Sequence, residues 1–143
     1  RDLPKNYTAE QAEKDGFYVV VNSEVVAGEQ LWKDFIENTS KEKEAGIRIV
    51  LFVDDNLSYL DLFYTDGNYH IFHFSSDDLG NIQENIYKYL LILEGTIANA
   101  AKSRKVTILT DDKTLTNQDI MWQMLSSNPK TISPYEIVLV DWQ

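Results

Sequence analysis

Arg48, Asp61 and His70 are the ionisable side chains with the most chemical scope in this chain, and all three lie in one stretch, Ile47 to Ser75. That stretch reads IRIVLFVDDNLSYLDLFYTDGNYHIFHFS. A guanidinium and a carboxylate on one surface can hold an anion or a polar ligand. An imidazole beside a carboxylate can move protons. Whether the three meet depends on the strands that carry them. Asp66-Gly67 between alternating apolar runs predicts a type I′ hairpin, because that turn needs positive φ at both central residues. Asp54-Asp55-Asn56 predicts a second turn. The stretch is therefore expected to form three consecutive antiparallel strands, a meander.

With Asp66-Gly67 as the loop, Thr65 faces Asn68, Phe63 faces His70 and Asp61 faces Phe72. With Asp55-Asn56 as the first loop, Val53 faces Ser58, Val50 faces Asp61 and Arg48 faces Phe63. The two-residue side-chain period then sorts the stretch onto two faces. Ile49, Leu51, Val53, Leu60, Leu62, Tyr64, Tyr69, Ile71 and His73 make an aliphatic face suited to a core. Arg48, Val50, Phe52, Tyr59, Asp61, Phe63, His70, Phe72 and Phe74 make an aromatic face that also carries the ionisable groups. In this register Arg48, Phe63 and His70 form one cross-strand row, with Asp61 diagonal to Arg48 and His70. The candidate ligand-binding set is Arg48, Tyr59, Asp61, Phe63, His70 and Phe72. The competing expectation is that this face is also covered, by the N-terminal segment or by the helix holding Met121 and Trp122, with Asp61 satisfied by Arg48.

Other motifs carry less. His70 and His73 are three apart, so on a strand they point to opposite faces and cannot share one ion. With two His and no Cys in the chain, no metal or cofactor is expected. The doublets Asp54-Asp55, Asp77-Asp78 and Asp111-Asp112 lack calcium-loop spacing and read as turn and cap residues. No carboxylate pair is selected by spacing, and there is no nucleophile elbow, phosphate loop or dinucleotide fingerprint. No catalytic residue is assigned. Asn6, Asn38 and Asn56 stand in formal glycosylation tripeptides, which arise by chance.

Thirteen Lys and Arg against 23 Asp and Glu give a net charge of −10. This argues against nucleic acid and anionic membrane surfaces as partners. No apolar run is long enough to span a bilayer. Residues 8–143 are expected to form a single domain after a linker, residues 1–7. Thr8-x-x-Gln11 predicts a capped helix closed by Gly16. A strand follows at Phe17 to Val21. Val25 to Ala27 are read as the approach to a second helix, Glu29 to Asn38, with Leu31, Trp32, Phe35 and Ile36 on one face. Ser40 to Gly46 and Ser76 to Glu84 read as connections. Ile86 to Leu93 fits a strand, with a helical stripe as the alternative. Asn99 to Arg104 reads as a turn or loop, Lys105 to Thr110 as a strand. A helix from Thr116, with Ile120, Met121, Met124 and Leu125 inward, and a strand from Tyr135 to Trp142 complete an α+β fold with a mainly antiparallel sheet.

YTAEQAEKDG (Tyr7 to Gly16), Val20-Val21-Asn22, FIEN (Phe35 to Asn38), IRIV (Ile47 to Val50) and DLFYTDG (Asp61 to Gly67) occur in an order that resembles a family of small exported domains of unknown function from Gram-positive bacteria, often lipoproteins. YKYLLILEG and ILTDD fit more loosely, and Phe17-Tyr18 stands where a more polar strand start is expected. The resemblance implies a domain outside the membrane, tethered through residues 1–7 to a lipidated Cys upstream of Arg1. The missing initiator Met agrees with a removed leader. The resemblance implies no reaction. The expected role is a non-enzymatic module binding a protein, peptide or small ligand. The alternatives are a small secreted hydrolase or inhibitor acting on cell-wall or peptide material, and a purely structural lipoprotein domain.

Overall fold

The computed structural model describes residues 7–54, 56–75, 83–96, 103–125 and 132–142. The fold is α+β, and the chain forms two compact units, Arg1–Ile86 and Tyr87–Gln143.

The first unit begins with α1, Ala9–Lys14. Thr8 caps it as its spacing predicts: its hydroxyl accepts from the Gln11 N–H, and the Gln11 side chain accepts from the Thr8 N–H. Gly16, at φ +80°, turns the chain out of the helix. β1 (Tyr18–Val21) and β2 (Glu24–Ala27) follow as an antiparallel hairpin, then α2, Glu29–Ser40. Val25 to Ala27 are thus a strand and not a helix approach. The turn is Asn22-Ser23, with φ +47° and +71°. It has type I′ signs without the glycine that usually announces it. Gly28 joins β2 to α2 at φ +87°. A Cβ there would stand 2.6 Å from the Phe17 carbonyl oxygen and from the Tyr18 Cα, so only glycine fits.

β3 (Ala45–Val53), β4 (Asn56–Thr65) and β5 (Asn68–Ser75) are adjacent and antiparallel. With β6, Gln83–Tyr87, they belong to a six-stranded sheet in the order β2-β1-β3-β4-β5-β6. The sheet is therefore wider than the expected three-strand meander. It is also mixed, because β1 runs parallel to β3 through the α2 crossover. The connection predicted at Ser40 to Gly46 gives way to β3 at Ala45, and that at Ser76 to Glu84 gives way to β6 at Gln83; residues 76–82 lie outside the described residues.

The second hairpin of the meander has the predicted register, with Thr65 opposite Asn68 and Asp61 opposite Phe72. The first is displaced by two residues. Val53 pairs with Asn56, Asp54 takes φ +53°, and Arg48 faces Asp61 instead of Phe63. A shift of two preserves the side-chain parity, so both faces keep their members.

The aliphatic face is closed by α2. Ile49, Leu62 and Ile71 are fully buried on it. Trp32 stacks on Phe35 at 5.9 Å and meets Tyr18 at 6.1 Å, while Phe35 meets Tyr69 at 6.4 Å. Trp32 and Phe35 are the expected anchors; Leu31, expected beside them, is exposed. The other face is closed in part by the N-terminal segment. Tyr7 and Ala12 pack with Val19, Val50 and Tyr59, flanked by Phe52 and Phe74.

The second unit is a three-stranded antiparallel sheet, β7 (Tyr89–Thr96), β8 (Ser103–Thr110) and β9 (Tyr135–Trp142), in that order, with α3, Asn117–Leu125. Ser103 and Arg104, read as loop, belong to β8. The ambiguous stretch after Ile86 is strand. Val106, Ile108, Leu115 and Ile120 form the core. Thr116 and Asp119 cap α3 reciprocally. Asp112 accepts from the Thr114 N–H and from Ser133, and Asp111 from the Lys88 N–H, so this doublet is turn chemistry as expected. The Thr114 and Ser133 hydrogen bonds hold the Asp112 carboxyl below its usual range.

Candidate functional site

A cleft of about 880 Å³ opens in the first unit. The end of α1, the outer side of α2 and the first residues of β3 line it, together with Asp61 and Phe63 of β4. Its origin is a mismatch in strand length. β1 starts at Tyr18, opposite Ile49, whereas β3 starts four residues earlier at Ala45. Gly16 turns the chain up into α1 at the point where β1 would otherwise continue. Ala45 to Arg48 therefore border a strand position that no strand fills among the described residues, with α1 on one side of the sheet and α2 on the other.

Arg48 and Asp61 face each other across β3 and β4. The guanidinium donates through Nε to Oδ1 at 2.6 Å and through Nη2 to Oδ2 at 2.7 Å. Such a bidentate pair is strong and orients both partners. The Arg48 guanidinium also lies over the Tyr59 ring, 4.5 Å from its centroid, and 5.7 Å from that of Phe17. The bond from Asp61 outweighs the cost of burial and raises the Arg48 pKa further. The pair is nearly charge-neutral as a unit, and Arg48 and Asp61 both line the cleft.

Tyr7 forms the α1 side. Its hydroxyl donates to Asp15 in a short hydrogen bond. Burial, and then that carboxylate, push the Tyr7 phenol up to about 12, so it is a neutral donor at physiological pH. Phe63 is 44% exposed. Its ring lies across Gly46, where a Cβ would come within 2.9 Å of it, and it meets Phe72 edge-on at 6.0 Å. An aromatic ring over a cross-strand glycine stabilises the sheet at a point with no side chain of its own.

Of the six candidate residues, Arg48, Asp61 and Phe63 line the cleft. Phe72 is half-buried beside Phe63. Tyr59 is buried in the core, stacked on Phe74 at 4.5 Å, and reaches Arg48 from beneath. His70 shares a row with Gly46 and Phe63 rather than with Arg48, and its Nδ1 lies 3.0 Å from Glu84 on β6. Sequence reasoning missed Tyr7, Asp15, Leu31 and Gly46. A glycine next to a strand pattern is a sign of close approach by another group, and Gly46 carried that signal. Among the described residues no group of three or more His, Asp or Glu is placed to hold a metal ion. No helix of the described residues is long and apolar enough to cross a membrane. Comparison with protein-family models, with curated proteins and with solved structures yields no match.

Proposed function

We propose that the first unit is a non-enzymatic binding module that takes a protein, peptide or small-ligand group into the cleft beside Phe63. The observation that carries this reading is a pair of exposed apolar side chains on opposite walls. Phe63 on the sheet is 44% exposed and Leu31 on α2 is 40% exposed. Between them lie polar groups already paired with one another, Arg48 with Asp61 and Tyr7 with Asp15. A concave site with apolar walls and a few fixed polar atoms is the usual make-up of a recognition surface. The resemblance to exported lipoproteins adds a proposed location outside the membrane.

The test is a fragment screen on the full chain, read by backbone amide shifts. The reading expects hits that move Gly46, Arg48 and Phe63 together, and that lose at least tenfold in affinity in Phe63→Ala while the far-ultraviolet spectrum is unchanged. Hits scattered over the surface, or hits indifferent to Phe63→Ala, would contradict it.

A further inference from the structure

We infer that the occupant of this cleft is an extended peptide that adds a strand to the free edge of β3; the inference rests on the binding role proposed above. The Asn22 N–H donates to the Phe52 carbonyl at 2.8 Å, which fixes the side of β3 that faces β1. Backbone groups alternate along a strand, so Val50, Arg48 and Gly46 also point that way. The parallel register gives the Arg48 carbonyl to Tyr18. β1 begins only at Tyr18, and among the described residues no backbone bond reaches the Arg48 N–H or either backbone group of Gly46.

These orphan groups are not at an ordinary sheet edge. Ordinary edges are short, charged or twisted away from pairing. Here the free segment is set back between two helices and has a glycine at its centre. It also has an exposed apolar side chain on each side, Leu31 toward α2 and Phe63 toward α1. An incoming strand would place alternate side chains against these two walls. Its backbone would bond to Gly46 and Arg48. The stretch from Ala45 to Arg48, unpaired on this side among the described residues, accommodates about 10–13 Å of extended chain, three or four residues. Main-chain bonds would supply the affinity and the two walls the selectivity, as in other strand-addition sites. A chain carrying −10 favours a neutral or basic peptide over an acidic one.

The experiment uses the full labelled chain and a capped heptapeptide of alternating valine and threonine flanked by lysines. A second heptapeptide of the same sequence carries N-methyl groups on alternate amides, which removes donors from one edge. The inference expects saturable shifts at Gly46 and Arg48 with the first peptide, at least tenfold slower Gly46 amide exchange when bound, and at least tenfold weaker binding of the methylated form. Leu31→Ser, on an exposed helix surface, should weaken the first peptide several-fold without lowering Tm. Equal binding of both peptides at the cleft overturns strand addition but leaves the binding role standing. If neither peptide binds while fragments still move Gly46, Arg48 and Phe63, the inference again fails alone. If neither peptides nor fragments perturb the cleft, both readings fail.

Discussion

The two faces of the six-stranded sheet are covered by helices of unequal reach, and the difference places the cleft. α2 has 12 residues and seals its face with a connected run of rings, Tyr18, Trp32, Phe35, Tyr69 and Tyr64. α1 has 6 residues, and its buried contribution is Ala12, with Tyr7 just before it. It covers Val50 and Tyr59 but stops short of Phe63. The long helix therefore does the work of stability, and the short one leaves an aromatic row open. A face can be aromatic for either reason, and the length of the covering element decides which.

Truncating one ring on each face separates the two roles most clearly. Phe35→Ala, on the sealed face, should cost about 3–5 kcal/mol, as for other buried aromatics. Phe63→Ala should cost about 1 kcal/mol or less, since the ring is 44% exposed. Equal losses in denaturant unfolding would mean that the open face is core after all. The next effect concerns the bidentate Arg48–Asp61 pair on the open face. Asp61→Ala should cost about 3 kcal/mol by leaving Arg48 without its partner, and Arg48→Met combined with Asp61→Leu should recover most of that loss. A double variant as unstable as the single one would show that the pair is needed for more than mutual satisfaction.

Asn22→Ala should be smaller, about 1–2 kcal/mol. The Asn22 Oδ1 accepts from the Asp54 N–H at 2.9 Å, tying the two hairpin turns together, and asparagine also tolerates the positive φ of its own turn. Thermal unfolding of the variant checks it. The smallest effect is alkaline. Tyr7 titrates near 12 when folded and near 10 when unfolded, so the unfolded chain releases this proton first. The stabilisation is whole below pH 10 and is lost as pH rises toward 12. Tyr87, likewise pushed up to about 12 by burial and by its bond to Glu136, acts in the same direction. Tyr7→Phe should flatten the alkaline slope without removing it, in stability measured from pH 9 to 12.

Much of this was legible in the chain, for physical reasons that differ from element to element. Asp66-Gly67 fixes one hairpin because glycine takes positive φ freely, and the register from Thr65 to Asp61 followed from that turn. Asp54-Asp55-Asn56 holds no glycine, so any two of its residues could form the loop. The structure pairs Val53 with Asn56, and Arg48 faces Asp61 as a result. The membership of the faces survived because the displacement was even. β2 was hidden because Asn22-Ser23 lacks the glycine signal and Val25 to Ala27 adjoin a helix. The cleft was hidden for another reason. It comes from a strand position that β1 does not fill among the described residues, and no local pattern near Gly46 reports that β1 begins only at Tyr18. Leu31 fitted the helical stripe, yet its place on the outer side of α2 depends on how the helix is rolled against Tyr18 and Tyr69.

The most direct measurement is amide hydrogen exchange at Gly46 and Ile47 in the free protein. Ile47 points toward β4, where it pairs with Leu62, and Gly46 points toward the side of β3 that carries β1, below the segment β1 pairs. An Ile47 amide protected to near the global unfolding limit is expected beside a Gly46 amide that exchanges almost as in an unfolded chain. A Gly46 amide as protected as Ile47 would mean that the edge of β3 is already filled, and would contradict the proposed strand addition.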